Sequence, residues 1–188
     1  MKTSNLIRRI RMECPLCDKI HEIEERTRVA KIIIKGEEVN YVESYYFCAN
    51  SNEEENEFAT GKMENNNLLN ARNAYRKSHG LLTSDQIVAI REMYGLSQVD
   101  LARLLGWGEA TISRYESKAI QDEAYDNMLR IVRENPKATL ELLQKNEAKF
   151  SKEKIISIRQ KITENLESTG REFLSRESLE SEYVNYQE

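Results

Sequence analysis

The sequence predicts an α+β protein: a small β-hairpin domain at the N-terminus, then an all-α bundle, then a helical C-terminal extension. Two observations predict it. Between residues 13 and 50, β-branched and aromatic residues come in short runs around a KGEE turn, the pattern of paired strands. From residue 67 the apolar spacing changes to three and four, the period of amphipathic helices, and glycines punctuate the runs. A length of 188 residues suits one or two small domains, and 39% hydrophobic with 32% charged residues marks a charge-rich globular chain.

Each element follows in order. Residues 1–12 carry Arg8, Arg9 and Arg11 and read as a basic arm. Val29–Ile34 and Val39–Phe47 are the two arms of a hairpin, with Cys14 and Cys17 before it and Cys48 just after it. Residues 51–66 are polar and acidic and read as a linker; the EEENE run within it is a solvated segment, or a mimic of nucleic acid toward a basic partner. Leu68, Leu69, Arg72, Tyr75 and Arg76 share helical spacing, with His79 and Gly80 at the helix end. In TSDQIVAIREMYG, Thr83 and Gln86 form a capping-box pattern, Ile87, Ile90 and Met93 or Tyr94 the apolar stripe, and Gly95 the stop. SQVDLARLLG repeats this with Ser97 as N-cap, Asp100 three later, and Leu101, Leu104 and Leu105 inward. Helices over about 109–117 and 122–133 come next, then a short one in KATLELLQKN. Ile155, Ile158, Ile162 and Leu166 form a last stripe, either a dimerisation or partner helix or one that packs on the bundle. The domains are thus expected at 1–50, 67–146 and 147–188, with the linker at 51–66.

Two short helices around a glycine-bearing turn are what a DNA-reading helix-turn-helix requires. The first lies across the DNA backbone, and the N-terminal residues of the second reach base edges in the major groove. LSQVDLARLLGWGEATISRYE fits that requirement. Ile112 and Tyr115 pin the second helix, which leaves Glu109, Ala110, Thr111, Ser113 and Arg114 on or near its exposed side. Arg114 suits a bidentate contact to guanine or a grip on phosphate. Gln98, at the start of the first helix, suits a phosphate contact. Arg72, Arg76 and Lys77 are further candidates for phosphate contacts, equally readable as a solvated helix face. Trp107 reads as turn packing rather than as a base-stacking residue. Net charge is −4, so DNA affinity has to come from the placement of a few cations. Between Leu68 and Asn135 nine Lys/Arg face nine Asp/Glu, and a neutral domain needs a dimer to double its contacts over two half-sites.

CPLC places the Cys14 and Cys17 thiolates at the spacing of half a zinc knuckle, and Cys48 supplies a third sulfur. The fourth donor is His21, four residues after Cys17, or Ser51, three after Cys48; serine is a poor zinc ligand. A hairpin domain buries little core, so Zn2+ would add stability that it lacks. No βαβ pattern surrounds CPLC, which argues against a thioredoxin-like redox role. No Ser/His/Asp set and no phosphate loop is present, and only two histidines occur, so an enzyme is not expected. The odd cysteine count and the lack of a membrane-length apolar run or signal-peptide core point to a cytoplasmic chain without a membrane partner.

The helical segment resembles the Cro/repressor-type (XRE) helix-turn-helix, with LGWGEATISRYE the most specific part. Over residues 10–146 the chain resembles the MqsA-type antitoxin family, which joins a YgiT-type zinc finger to such a domain. The resemblance implies an antitoxin of a type II toxin–antitoxin system: a homodimer that binds palindromic operator DNA, represses its own transcription unit and pairs with a toxin encoded beside it. By position it places Ala110, Thr111, Ser113 and Arg114 on the recognition face. Where it expects the fourth cysteine, this chain has Ser51. Two other readings of the same residues are a stand-alone regulator that responds to zinc or redox state, and a dimeric scaffold that no longer binds DNA.

Overall fold

The computed structural model describes residues 4–51 and 56–167. The chain is α+β and divides into two compact units, Met1–Thr83 and Ser84–Glu188. Among the described residues, no helix is long and apolar enough to cross a membrane.

The first unit is a four-stranded antiparallel sheet in the order β1(Ser4–Glu13), β2(Ile20–Ile34), β3(Glu37–Phe47), β4(Glu57–Phe58), followed by helix α1(Gly61–Ser78). The β2–β3 hairpin is closed by Lys35 and Gly36, both at positive φ (51° and 86°), the two-residue turn whose twist matches that of the strands. From there the register runs unbroken from Ile34↔Glu37 to Glu24↔Phe47. The segment read as a basic arm is β1. Its arginines are answered across the ladder, Arg8 by Glu25 at 2.6 Å and Arg9 by Glu24 at 3.1 Å, so pairing with β2 uses them as strand residues. The segment read as an acidic linker contributes β4 and the first turns of α1, which begins at Gly61 rather than at residue 67. Thr60 caps the helix by accepting from the Met63 N–H at 3.3 Å.

Helix α1 takes the place of a strand beside β3. The Asn67 amide donates to Ser44 O (2.7 Å) and accepts from Ser44 N (2.8 Å), and Asn70 donates to Val42 O (3.3 Å). Two side chains thereby satisfy the backbone groups that an edge strand leaves bare. This packing places α1 in the sheet unit, whereas the sequence groups it with the bundle.

The second unit holds α2(Ser84–Met93), α3(Gln98–Leu105), α4(Thr111–Ser117), α5(Glu123–Glu134) and α6(Pro136–Lys145), then a 3-10 turn at Glu147–Lys149 and a helix, α7, over 152–167. The caps expected for α3 are present. Ser97 and Asp100 make both bonds of the capping box, and Gly106 ends α3 at φ 73°. Ile87, Ile90, Leu101, Leu104, Ile112, Leu129 and Leu143 are buried at the centre. Ile158 and Ile162 of α7 are buried with them, so the C-terminal stripe packs on its own bundle.

Pro136 has no N–H, so the Val132 carbonyl loses the helical partner it would find four residues on. The Tyr94 hydroxyl donates to that carbonyl at 2.8 Å and the Thr139 hydroxyl at 3.1 Å. This joins α2 to the α5–α6 break. Tyr94→Phe is expected to lower unfolding stability by about 1 kcal/mol, read as a shift of the urea midpoint at unchanged m-value.

Candidate metal centre and nucleic-acid interface

In the sheet unit, Cys14 and Cys17 lie in the turn between β1 and β2, His21 on β2, and Cys48 just past β3. The turn is closed by Asp18 N to Cys14 O (2.9 Å) and Cys14 N to Lys19 O (3.0 Å), with Asp18 at φ 52°. It presents both sulfurs on one side. The register sets His21 opposite Met12, and the four donor atoms of Cys14, Cys17, His21 and Cys48 all lie within 4.8 Å of one another. Cys17 Sγ and Cys48 Sγ are 3.9 Å apart, and His21 Nε2 stands 3.4 and 3.5 Å from them.

These distances can be checked against a metal. Zn–S bonds of about 2.3 Å and Zn–N bonds of about 2.0–2.1 Å give a tetrahedron with edges of about 3.8 Å between sulfurs and about 3.5 Å between sulfur and nitrogen. The three edges among Cys17, Cys48 and His21 match those values, and Cys14 lies within the 4.8 Å that bounds the set. His21 Nδ1 is 2.8 Å from Glu22 O, which can only accept, so Nδ1 carries the proton and Nε2 offers its lone pair to the sulfurs. Burial opposes ionisation of Cys14, but its contacts with His21, with the backbone N–H groups of Leu16 and Cys17, and with Cys48 outweigh it and lower the thiol to about 7. Burial and the neighbouring Cys14 push the Cys17 thiol up. Cys14, Cys48 and Ile23 are fully buried, with Met12, Leu16, Tyr46 and Phe58 around them, so the centre is also the local core. The fourth donor that the fold brings in is therefore His21. Ser51 is half-buried after the turn that follows Cys48 and offers a neutral hydroxyl.

In the helical unit, α3 and α4 are held by a buried carboxylate. The Glu116 side chain, 6% exposed, accepts from Arg91 Nε at 3.0 Å and from Gln98 Nε2 at 2.6 Å. Arg91 also donates to Leu96 O at 3.0 Å. One side chain on α4 thus ties in the end of α2 and the start of α3. Sequence reasoning gave Gln98 to phosphate and missed the Arg91–Glu116 pair, whose partners are too far apart in the chain for any local pattern to mark. Gln98 stands at the first position of α3, and its amide nitrogen is committed to Glu116.

The other expected contacts fall as follows. Glu109 lies in the turn, outside α4, and accepts from Arg103 Nε (3.1 Å) and Nη2 (2.6 Å). Ala110 is the N-cap of α4 and supplies no side-chain cap. Thr111 and Ser113 are half-buried on the first turn, and Ile112 is buried beneath them. Arg114 is exposed and, among the described residues, makes no side-chain bond. Trp107 packs against Tyr125 (ring centroids 4.6 Å) and edge-on to Tyr115 (6.4 Å), the turn-packing role expected of it. Arg72, Arg76 and Lys77 lie on α1, in the sheet unit. Arg76 is fully buried and donates to Asn73 Oδ1 at 2.7 Å, which takes its guanidinium off the surface a phosphate could reach. Arg72 is half-buried and Lys77 exposed.

Residues 87–122 match the helix-turn-helix family, from the first turn of α2 to the N-cap of α5. The match supports the XRE-type helix-turn-helix expected for this segment. The module is a DNA-binding one, found in transcription regulators. No curated protein and no solved structure was found to match the chain.

Two expectations follow. Protein dialysed against zinc and then against buffer should retain one zinc per chain by elemental analysis. Cys48→Ser and His21→Ala should lower that content, and Ser51→Ala should leave it unchanged. Glu116→Ala leaves a buried arginine unpaired and should cost about 3–5 kcal/mol of stability in a denaturant titration.

Proposed function

We propose that the chain is an operator-binding transcriptional repressor and the antitoxin of a type II toxin–antitoxin pair. The observation that carries the first half is the state of Arg114. The cations of α2 and α3, Arg91 and Arg103, are tied to Glu116 and Glu109, whereas Arg114 projects from the first turns of α4 without a side-chain partner among the described residues. An exposed, unpaired guanidinium on the second helix of the motif suits a guanine edge or a phosphate. Ala110, Thr111 and Ser113 would lie beside it in the groove, with Ala110 offering apolar contact to a thymine methyl. Gln98 would face the backbone through its free carbonyl oxygen and the N–H groups of the α3 start. A homodimer on a two-fold operator would place two such helices about one helical turn (~34 Å) apart.

Support for the second half is the family resemblance, which implies pairing with a toxin encoded beside the chain; the sheet unit is the contact in this reading. In this reading the sheet unit holds Zn2+ through Cys14, Cys17, Cys48 and His21. The metal supplies structure: it fixes the β1–β2 turn to the end of β3, and the unit covers the toxin's surface. A second reading has one observation in its favour. Cys14, Cys17 and Cys48 are free, clustered thiols, and Cys14 ionises near neutrality. A regulator that responds to zinc or oxidant would show DNA affinity that changes with either; an antitoxin with structural zinc would not.

Arg114→Ala is expected to cost about 1–3 kcal/mol of affinity for DNA from upstream of the chain's own coding sequence. Fluorescence titration reads it, and unchanged affinity would remove Arg114 from the interface.

A further inference from the structure

Positive charge in the helical unit is gathered in one segment. Residues 84–144 hold seven Lys/Arg against ten Asp/Glu, whereas residues 145–161 hold six against two. Within the matched segment, Arg114 and Lys118 are the cations without a side-chain partner among the described residues. Two cations per copy supply little of the counterion release that dominates affinity for DNA.

The basic segment is folded onto the helix pair. On α7, residues 154, 158, 161 and 165 form one row, spaced four, three and four apart. Ile158 in that row is fully buried. Lys154 Nζ donates to Gly95 O at 3.0 Å and pairs with Asp100 Oδ2 at 3.0 Å, and Asn165 Nδ2 donates to Met93 O at 3.4 Å. Both ends of the row therefore grip the corner between α2 and α3, with Lys161 between them. Asp100 is the third residue of α3, so the Lys154 ammonium stands within one turn of Gln98. That end of the first helix is the one that meets the DNA backbone in this motif. Lys154 also offsets the Asp100 charge there, which alone would repel a phosphate. Lys161 is 48% exposed and paired to Glu164 on the surface, a contact worth little in water.

We propose that α7 is part of the DNA-binding surface: Lys154 and Lys161, on the flank beside the α2–α3 corner, contact the duplex backbone next to the start of α3. The inference rests on the DNA-binding reading given above. It extends the interface past the matched segment and gives the near-neutral motif its salt-dependent affinity. Lys152 and Arg159, also seven apart, lie on the opposite flank of α7 and face away from the corner.

The test uses the full chain and two duplexes, one from upstream of its coding sequence and one scrambled. The readout is the slope of log affinity against log salt concentration. The double variant Lys154→Gln/Lys161→Gln should flatten the slope by about two, roughly one per lost phosphate contact, and by the same amount on both duplexes. Lys152→Gln/Arg159→Gln should leave it unchanged, and Lys154→Arg should restore the slope when placed with native Lys161. Thermal melts of each variant show that the fold is retained, and a slope is insensitive to a uniform loss of folded protein. An unchanged slope in the first double variant overturns the proposal, as does an equal loss from both flanks. If the parent binds neither duplex at low salt, the DNA-binding reading fails and α7 with it. If Arg114→Ala weakens binding while the slope stays put, α7 alone fails.

Discussion

The Glu116 carboxylate is the interaction on which the helical unit depends. It is nearly excluded from water, and its two oxygens are spent on Arg91 and Gln98. A buried charge is tolerated only when its lone pairs are taken up, and here partners on α2 and α3 take them up. The angle of α4 to α3 is set from beneath by Ile112 and from the side by this carboxylate. The aromatic contacts of Trp107, Tyr115 and Tyr125 then close the remaining flank. Arg114, two residues before Glu116, is aimed outward as a consequence: the same short helix cannot turn both residues to one side.

The sheet unit is organised around a different constraint. One of its buried clusters contains two of the cysteines with Ile23. Packing and metal-ligand geometry are here the same set of atoms. The strands are also held by cross-strand ion pairs and by arginines lying over rings, Arg26 over Phe47 at 4.0 Å and Arg28 over Tyr45 at 4.3 Å.

What the sequence shows best is what is decided locally. Ser97, Asp100 and Gly106 fix α3 within a few residues of chain, and each cap is where its pattern places it. The β2–β3 hairpin is legible for the same reason. What it hides is decided across the chain. SNLIRRIRME lacks clean alternation, because the irregularity at Ile7 breaks the period and its arginines find their carboxylates only after β2 is laid beside it. The start of α1 is masked by an asparagine-rich composition that argues against helix, although Asn67 is there to bond a strand. At the metal centre, spacing identified three sulfurs but left His21 and Ser51 as rivals. Strand register decides it, since pairing with Met12 brings His21 back beside the cysteines.

The asparagines that α1 lays along β3 have a consequence for how copies of this protein can meet. With three backbone groups of β3 taken up by amides, the long edge left open among the described residues is β1. A two-fold antiparallel meeting of two β1 strands about their midpoint would set Arg8 of each against Arg9 of the other. Like charges placed directly opposite repel, and the irregularity at Ile7 bends the ladder just where pairing would begin. Amides cover part of one edge and guanidinium groups stand along the other, and both disfavour growth of the sheet by a second copy.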